Sequence, residues 1–152
     1  MPNDGVHHIA IRDAKLGDAP ALAKLMCELG YETTTAEMCQ RLASILSDAR
    51  YSTFVAEIEG RVCGMIGTFS YPGYEHNDLS GRILALVTSS EARRRGIGRA
   101  LIAAAEKDFA RRGIRRIAVN TQLSRQAAHK FYEKLDYNRN GWRFIKELPG
   151  GN

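Results

Sequence analysis

Apolar residues recur along this chain with two periods, and the changes between them mark the elements. His8 to Arg12 alternates and predicts a short first strand. From Asp18 the period lengthens. Leu22, Leu25, Met26 and Leu29 share one face of a helix that Asp18 caps and Gly30 stops. A second helix is predicted over Thr35–Ser47, with Met38, Leu42, Ile45 and Leu46 at helical spacing. Two apolar runs follow, Thr53–Ile58 and Val62–Tyr71, with Glu59-Gly60 between them as a tight hairpin turn. The polar stretch Pro72–Ser80 reads as a surface loop. Arg82–Thr88 is almost continuously apolar through Ile83, Leu84, Leu86 and Val87, the pattern of a central strand covered on both faces.

The second half continues the alternation. A helix over about Ile97–Arg112 presents Ile97, Leu101, Ala104 and Phe109 to the core and ends at Gly113. Ile114–Asn120 reads as a strand, Arg125–Leu135 as a helix and Tyr137–Leu148 as a closing hairpin turned at Asn140-Gly141. The sum is an α/β (α+β) chain, a sheet covered by helices. No repeat, low-complexity tract or linker interrupts it, so residues 1–152 read as a single domain.

Composition narrows the classes. With 44% hydrophobic and 26% charged residues, the chain can bury a core. No apolar run reaches the ~20 residues of a bilayer span, so no membrane partner is expected. Met1–Ala10 lacks the basic start and apolar stretch of a secretory signal, and the expected location is cytoplasmic. Cys27, Cys39 and Cys63 are odd in number and far apart. They read as buried free thiols, not a disulfide framework or zinc site, and no metal is expected.

The net charge is +5, and eight arginines crowd the stretch from Arg93 to Arg116. Such a cluster suits a nucleic acid or a phosphorylated small molecule. Few aromatics interleave it, which ranks nucleic acid last. Arg111, Arg112, Arg115 and Arg116 are expected on a solvated helix face.

The chemistry concentrates in Leu84–Leu101, where a strand, a basic glycine-containing turn and a helix stand in series. Gly96 and Gly98 leave the backbone unshielded where the helix begins. Its first N–H groups lack intrahelical partners and attract phosphate oxygens. The turn is not a Walker loop, since no Gly-Lys-Ser/Thr follows, and its glycine spacing is not that of the dinucleotide fingerprint.

Arg93-x-x-Gly96-x-Gly98 resembles the Arg/Gln-x-x-Gly-x-Gly/Ala motif of the GNAT family of N-acetyltransferases. The strand before it, the helix Arg99-Ala100-Leu101-Ile102 and the later run Ala127–Tyr137 are similar to that family as well. One departure is Asp136, where the family usually has glycine; Asp tolerates left-handed geometry better than most residues. The resemblance implies a mixed sheet of about six to seven strands, splayed between the fourth and fifth and flanked by about four helices. It implies acetyl-CoA as co-substrate and an amine-bearing small molecule as acceptor. Relatives of this kind are often homodimers.

Carried over by position, the resemblance assigns the coenzyme A pyrophosphate to Arg94, Arg95, Gly96, Ile97, Gly98 and Arg99, with Arg93 flanking. Main-chain groups of Leu86, Val87 and Thr88 would meet the pantetheine arm and acetyl carbonyl. Tyr132 matches the family tyrosine that protonates the leaving thiolate and is the one catalytic candidate. No general base is evident. Asn120, Leu84 and Leu86 stand where other members carry a glutamate, and Arg125 stands where a cofactor-contacting asparagine is frequent. Glu75, His76, Asp78 and His129 read better as surface residues. An acceptor pocket drawing on Tyr31, Tyr71, Tyr74, Glu28, Glu32 and Glu75 would suit a cationic amine. Two other functions stay open: acetylation of a protein N-terminus or lysine, and a non-catalytic acyl-CoA sensor.

Overall fold

A computed structural model describes residues 8–120, 126–141 and 143–150. The chain divides into two compact units, Met1–Ala118 and Val119–Asn152.

The larger unit holds strands β1 (Ile9–Asp13), β2 (Tyr51–Ile58), β3 (Arg61–Pro72) and β4 (Leu79–Thr88), and helices α1 (Ala19–Leu29), α2 (Thr35–Leu46) and α3 (Ile97–Arg111). Strand β5 (Ile117–Val119) spans the boundary, and α4 (Gln126–Lys134) lies in the smaller unit. The sheet runs β1-β2-β3-β4-β5, with the first three pairs antiparallel. The Gly81 N–H donates to the Arg116 carbonyl at 2.9 Å where β4 and β5 begin.

The described residues thus carry five strands, not six to seven. The shortfall is the closing hairpin. Residues 137–141 and 143–148 hold no strand despite Asn140-Gly141, and Phe144 (93% exposed) leaves its apolar ring in solvent. A turn sequence acts locally, whereas a strand needs a partner edge to take up its N–H and C=O groups. The loop after β3 is also shorter than expected. β3 and β4 stay paired out to Pro72 and Leu79, leaving only residues 73–78 unpaired.

Local chemistry explains the boundaries. Thr34 caps α2 reciprocally with Glu37: the Glu37 N–H donates to Thr34 Oγ1 and the Thr34 N–H to Glu37 Oε1. Asp18 does not cap α1 with its side chain, contrary to expectation. Its carboxylate instead accepts both terminal nitrogens of Arg12, at 2.9 and 2.8 Å, and the Lys15 N–H at 2.8 Å. Helices α1, α3 and α4 end alike. A left-handed residue (Gly30, Gly113, Asp136) follows each, and the next N–H reaches back to the carbonyls of Met26, Phe109 and Tyr132. Asp136, at φ 68°, therefore adopts the left-handed geometry glycine would have supplied. Glu59 (φ 52°) and Gly60 (φ 77°) make the tight β2–β3 turn.

Two cores flank the sheet. On one face Leu22, Leu25, Met38 and Leu42 from α1 and α2 cluster with Val55, Met65 and Val87. On the other lies α3, where Ala105, not Ala104, is buried beside Leu101 and Phe109. Close approach is possible because β3 and β4 present glycines there. A Cβ on Gly64 would lie 2.9 Å from Ile97 Cγ2, and one on Gly81 2.8 Å from Phe109 Cε1.

A bulge in β4 decides what each part of that strand addresses. Gly67 pairs with Ala85 but Thr68 with Ile83, so Leu84 is the extra residue. Before it, odd-numbered Gly81 and Ile83 share a face with Thr68, the α3 side; beyond it, even-numbered Leu86 and Thr88 do. Val87 accordingly turns into the α1–α2 core. Leu84 is 51% exposed and Leu86 half-buried, so β4 is not the doubly covered strand that its apolar run suggested. Of the cysteines, Cys63 alone is buried, and burial pushes its thiol pKa up; Cys39 is half-buried and Cys27 exposed.

Candidate active site

The strand–turn–helix segment forms as its sequence implies. β4 ends at Thr88, a short 3-10 turn covers Ser90–Ala92, and α3 begins at Ile97. Gly96 sits at the helix entrance with φ 77°, and nothing lies within 4 Å of where its Cβ would be. The first helical bond runs from the Ala100 N–H to the Gly96 carbonyl at 3.0 Å. The N–H groups of Ile97, Gly98 and Arg99 therefore have no partner from the helix itself. Arg94, two residues earlier, also holds a left-handed φ of 68°. A non-glycine residue in that region stores strain, and such strain gathers at ligand sites.

The entrance is open but firmly held. Ile97 and Leu101 are almost wholly buried, anchoring the helix while its end faces outward. The Ser89 N–H donates to the Cys63 carbonyl at 2.7 Å, tying the turn to β3. Ser90 donates to Glu28 Oε1 through both Oγ (2.6 Å) and its N–H (3.2 Å), tying it to the end of α1. Those bonds, with the nearby Arg93 charge adding to them, hold the Glu28 carboxyl below the usual carboxylate range.

Arg93, Arg94, Arg95 and Arg99 are all exposed, and among the described residues none is in an ion pair. The later arginines differ. Arg111 and Arg112 both pair with Asp108, and Arg116 with Asp78 at 2.7 Å. Arg112 departs from the expected solvated face: it is half-buried over the Phe109 ring and donates to Ser70 Oγ at 3.1 Å. Arg115 is exposed and in no ion pair among the described residues, so the cluster splits with four of its five uncommitted charges at the α3 entrance. An open set of N–H donors ringed by unpaired guanidinium groups is suited to an oxyanion, and a pyrophosphate fits that chemistry. Among the described residues, no group of three or more His, Cys, Asp or Glu could hold a metal ion.

The family model for the Acetyltransferase (GNAT) family matches residues 19–137. The chain belongs to the GNAT family. It is an acetyltransferase, and the family's acyl donor is acetyl-CoA. An aminoalkylphosphonate N-acetyltransferase of Salmonella typhimurium is 30% identical over 139 residues, which cover 91% of this GNAT chain and 90% of the relative. A GNAT family acetyltransferase structure from Staphylococcus aureus is 29% identical, with a TM-score of 0.80 over 92% of this chain and 98% of that one. An aminoglycoside N-acetyltransferase solved in complex with CoA has a TM-score of 0.84 over 97% and 98% of the two chains. At 17% identity, that likeness is one of fold.

The remaining candidates of this GNAT chain stand on several elements. Tyr132 stands on α4, half-buried, with ring centroids 5.3 Å from Phe131 and 5.7 Å from Tyr137. Asn120 is exposed, and Arg125 lies outside the described residues. Of the residues expected at the acceptor, Glu28 is bound to Ser90, while Tyr31 and Tyr74 are exposed. Tyr71 is half-buried and stacked on Phe69 at 5.9 Å. Asp78, outside that set, is engaged by Arg116, which lowers its pKa. Sequence reasoning missed the Leu84 bulge, the Glu28–Ser90 tether and Arg82, whose side chain lies over Tyr71. Only the bulge left a trace, as one surplus apolar residue in β4.

Proposed function

We propose that the chain transfers the acetyl group of acetyl-CoA to the primary amine of a small molecule by direct attack in a ternary complex. The observation that carries this reading is the α3 entrance, with free N–H groups at Ile97, Gly98 and Arg99 and four exposed arginines unpaired among the described residues. The family model spans both compact units, which supports residues 1–152 as one N-acetyltransferase domain.

In this reading Arg94, Arg95, Gly96, Ile97, Gly98 and Arg99, with Arg93 at the flank, hold the pyrophosphate. Of Leu86, Val87 and Thr88 on β4, the main-chain groups not bonded to β3 meet the pantetheine arm and the acetyl carbonyl. The donor supplies an activated thioester. Val87 opposes Met65 two residues before the Ser89–Cys63 bond, so its N–H is directed at β3; a main-chain N–H beside it that points away from β3, that of Leu86 or Thr88, steadies charge that develops on the carbonyl oxygen. The acceptor amine, protonated near neutral pH, loses its proton to solvent through water. The Tyr132 hydroxyl returns a proton to the leaving thiolate.

Support for a small-molecule acceptor comes from relatives whose names specify aminoalkylphosphonate and aminoglycoside acceptors. The test is acetyl transfer against a panel of aminoalkylphosphonates, aminoglycosides, amino acids and peptides, with acetyl-CoA binding followed by calorimetry. Turnover of a small amine is expected. Binding without turnover of any amine would leave an acyl-CoA sensor, and preference for a peptide would leave a protein acetyltransferase. Tyr132→Phe should lower kcat about 10²-fold or more, the low end for a lost general acid, with the KM for acetyl-CoA little changed. An unaltered kcat at saturating substrates removes Tyr132 from the mechanism.

A further inference from the structure

The two kinds of relative take acceptors of opposite charge. An aminoalkylphosphonate carries an oxyanion beside its amine, whereas an aminoglycoside is a polycation. The chain's own side chains bear on which it accepts. Met65 and Val87 belong to the core beneath α1 and α2. Along β3, whose residues alternate, the same face continues through Gly67 to Phe69 and Tyr71. Across the strands Tyr51 and Arg82 are both register partners of Phe69 and so share that face. Tyr51, Phe69, Tyr71 and Arg82 are each half-buried there.

Arg82 differs from the other arginines at this end of the sheet. Arg50, Arg112 and Arg116 are neutralised by Asp48, Asp108 and Asp78. Arg82 has no carboxylate partner among the described residues. Its guanidinium carbon lies 5.7 Å from the Tyr71 ring centroid, and its Nε is buried with no hydrogen-bond partner. Arg112 Nε shares that last feature, but its terminal nitrogens are occupied by Ser70 and Asp108. A buried donor left unmatched is destabilising, and more so when charged. Several acidic groups that could hold a polycation are meanwhile engaged, Asp48, Asp78 and Asp108 by arginines and Glu28 by Ser90, while Glu32 and Glu75 stand exposed in solvent.

Resting on the acetyltransferase reading above, we infer that the acceptor carries an oxyanion next to its amine and that Arg82 binds that oxyanion. Arg82 and Leu86 pair with Phe69 and Ile66, three residues apart on β3, which is roughly 10 Å at the rise of an extended chain and within reach of a short acceptor once the arginine side chain extends. The Leu84 bulge lies between them. An acceptor laid along β4 puts its amine toward Leu86 and its anion toward the guanidinium. The planar fork matches a phosphonate, phosphate or carboxylate through two parallel hydrogen bonds. The Tyr71 ring, itself stacked on Phe69, braces it from beneath.

The experiment is steady-state acetylation by the full chain at saturating acetyl-CoA. The acceptors are ω-aminoalkylphosphonates of increasing length, the amino phosphate esters and amino acids of matching length, the uncharged amino alcohols, and an aminoglycoside. The expected result is a kcat/KM for one oxyanion series at least about tenfold above that of the amino alcohols, which also separates phosphonate from phosphate and carboxylate. Arg82→Gln should raise the KM for that acceptor about 10- to 100-fold, with the KM for acetyl-CoA and the rate with amino alcohols unchanged. Arg82→Lys should recover part of the loss. Thermal unfolding of both variants verifies that they fold. Equal use of charged and uncharged amines, preference for the aminoglycoside, or equal losses for all acceptors in Arg82→Gln overturns the inference. If no acceptor turns over, calorimetric titration of the CoA-loaded protein with the phosphonates decides it, and absence of binding overturns it. Failure of acetyl-CoA itself to bind would strike the parent reading instead.

Discussion

Asp18 shows how one side chain can leave the role its position suggests. It stands where a helix cap belongs, yet it is buried at 6% exposure and faces Arg12, which also bonds Glu57 at 2.8 Å. The bidentate pair joins β1 to the start of α1, and Glu57 adds β2. Hydrogen bonds from Arg12, opposed by burial, hold the Asp18 carboxyl below its ordinary range. A carboxyl whose folded pKa is depressed adds stability that is fully present above its unfolded value, about pH 4, and is lost as pH falls through the folded value. Asp18→Asn should destabilise the protein by about 1–2 kcal/mol near pH 7, a figure discounted because Arg12 is partly exposed. The gap in Tm between the two proteins should narrow below about pH 4. A gap constant from pH 7 to pH 3 would show that the charge of Asp18 is irrelevant.

At the scale of elements, the α3 entrance works because two other elements hold it. Its buried Ile97 and Leu101 lie against Gly64 of β3, Ser89 is bonded to Cys63 of the same strand, and Ser90 is bonded to Glu28 at the end of α1. The Glu28 bond spans 62 residues and links one helix to the turn that opens another. Preorganised N–H donors bind an anion without first losing conformational freedom, so loosening the tether should weaken binding while leaving the donors in place. Glu28→Ala is expected to raise the KM for acetyl-CoA about three- to tenfold, the worth of one or two exposed hydrogen bonds, with kcat nearly constant. Steady-state kinetics at saturating acceptor measures this. A fall in kcat with no change in that KM would place Glu28 at the chemistry instead of at the turn.

At the scale of the molecule, ligand and fold are linked. A ligand that binds only the native state stabilises it by about 2.7 kcal/mol at a concentration 100 times its Kd. At roughly 2–4 °C per kcal/mol for a chain of this size, coenzyme A should raise Tm by several degrees. Pantetheine, which lacks the pyrophosphate, should raise it much less if the α3 entrance is the anchor. The coenzyme A shift should shrink with added salt, since the arginines there are exposed. Equal shifts for both compounds in a thermal melt would move the anchor to β4.

The parts of this protein legible in its sequence are those governed by neighbours along the chain. The helix limits followed from Gly30 and Gly113, the tight turn from Glu59-Gly60, and the anion-binding entrance from Gly96 and Gly98, because left-handed backbone and helix ends are decided within a few residues. Tertiary structure decided what depends on distant partners. Asn140-Gly141 invites a hairpin, but the described residues around it pair with no strand. Leu84 belongs to an apolar run, yet the register against β3 makes it a bulge and turns it outward. Asp18, Glu28 and Arg112 read as a cap, an acceptor ligand and a surface charge until the fold brings Arg12, Ser90 and Ser70 to them. Which arginines stay free is only partly written in the spacing: Arg111 and Arg112 stand three and four residues after Asp108 on one helix, but that Arg116 meets Asp78 and Arg82 meets no carboxylate among the described residues is decided by which strands the fold sets side by side.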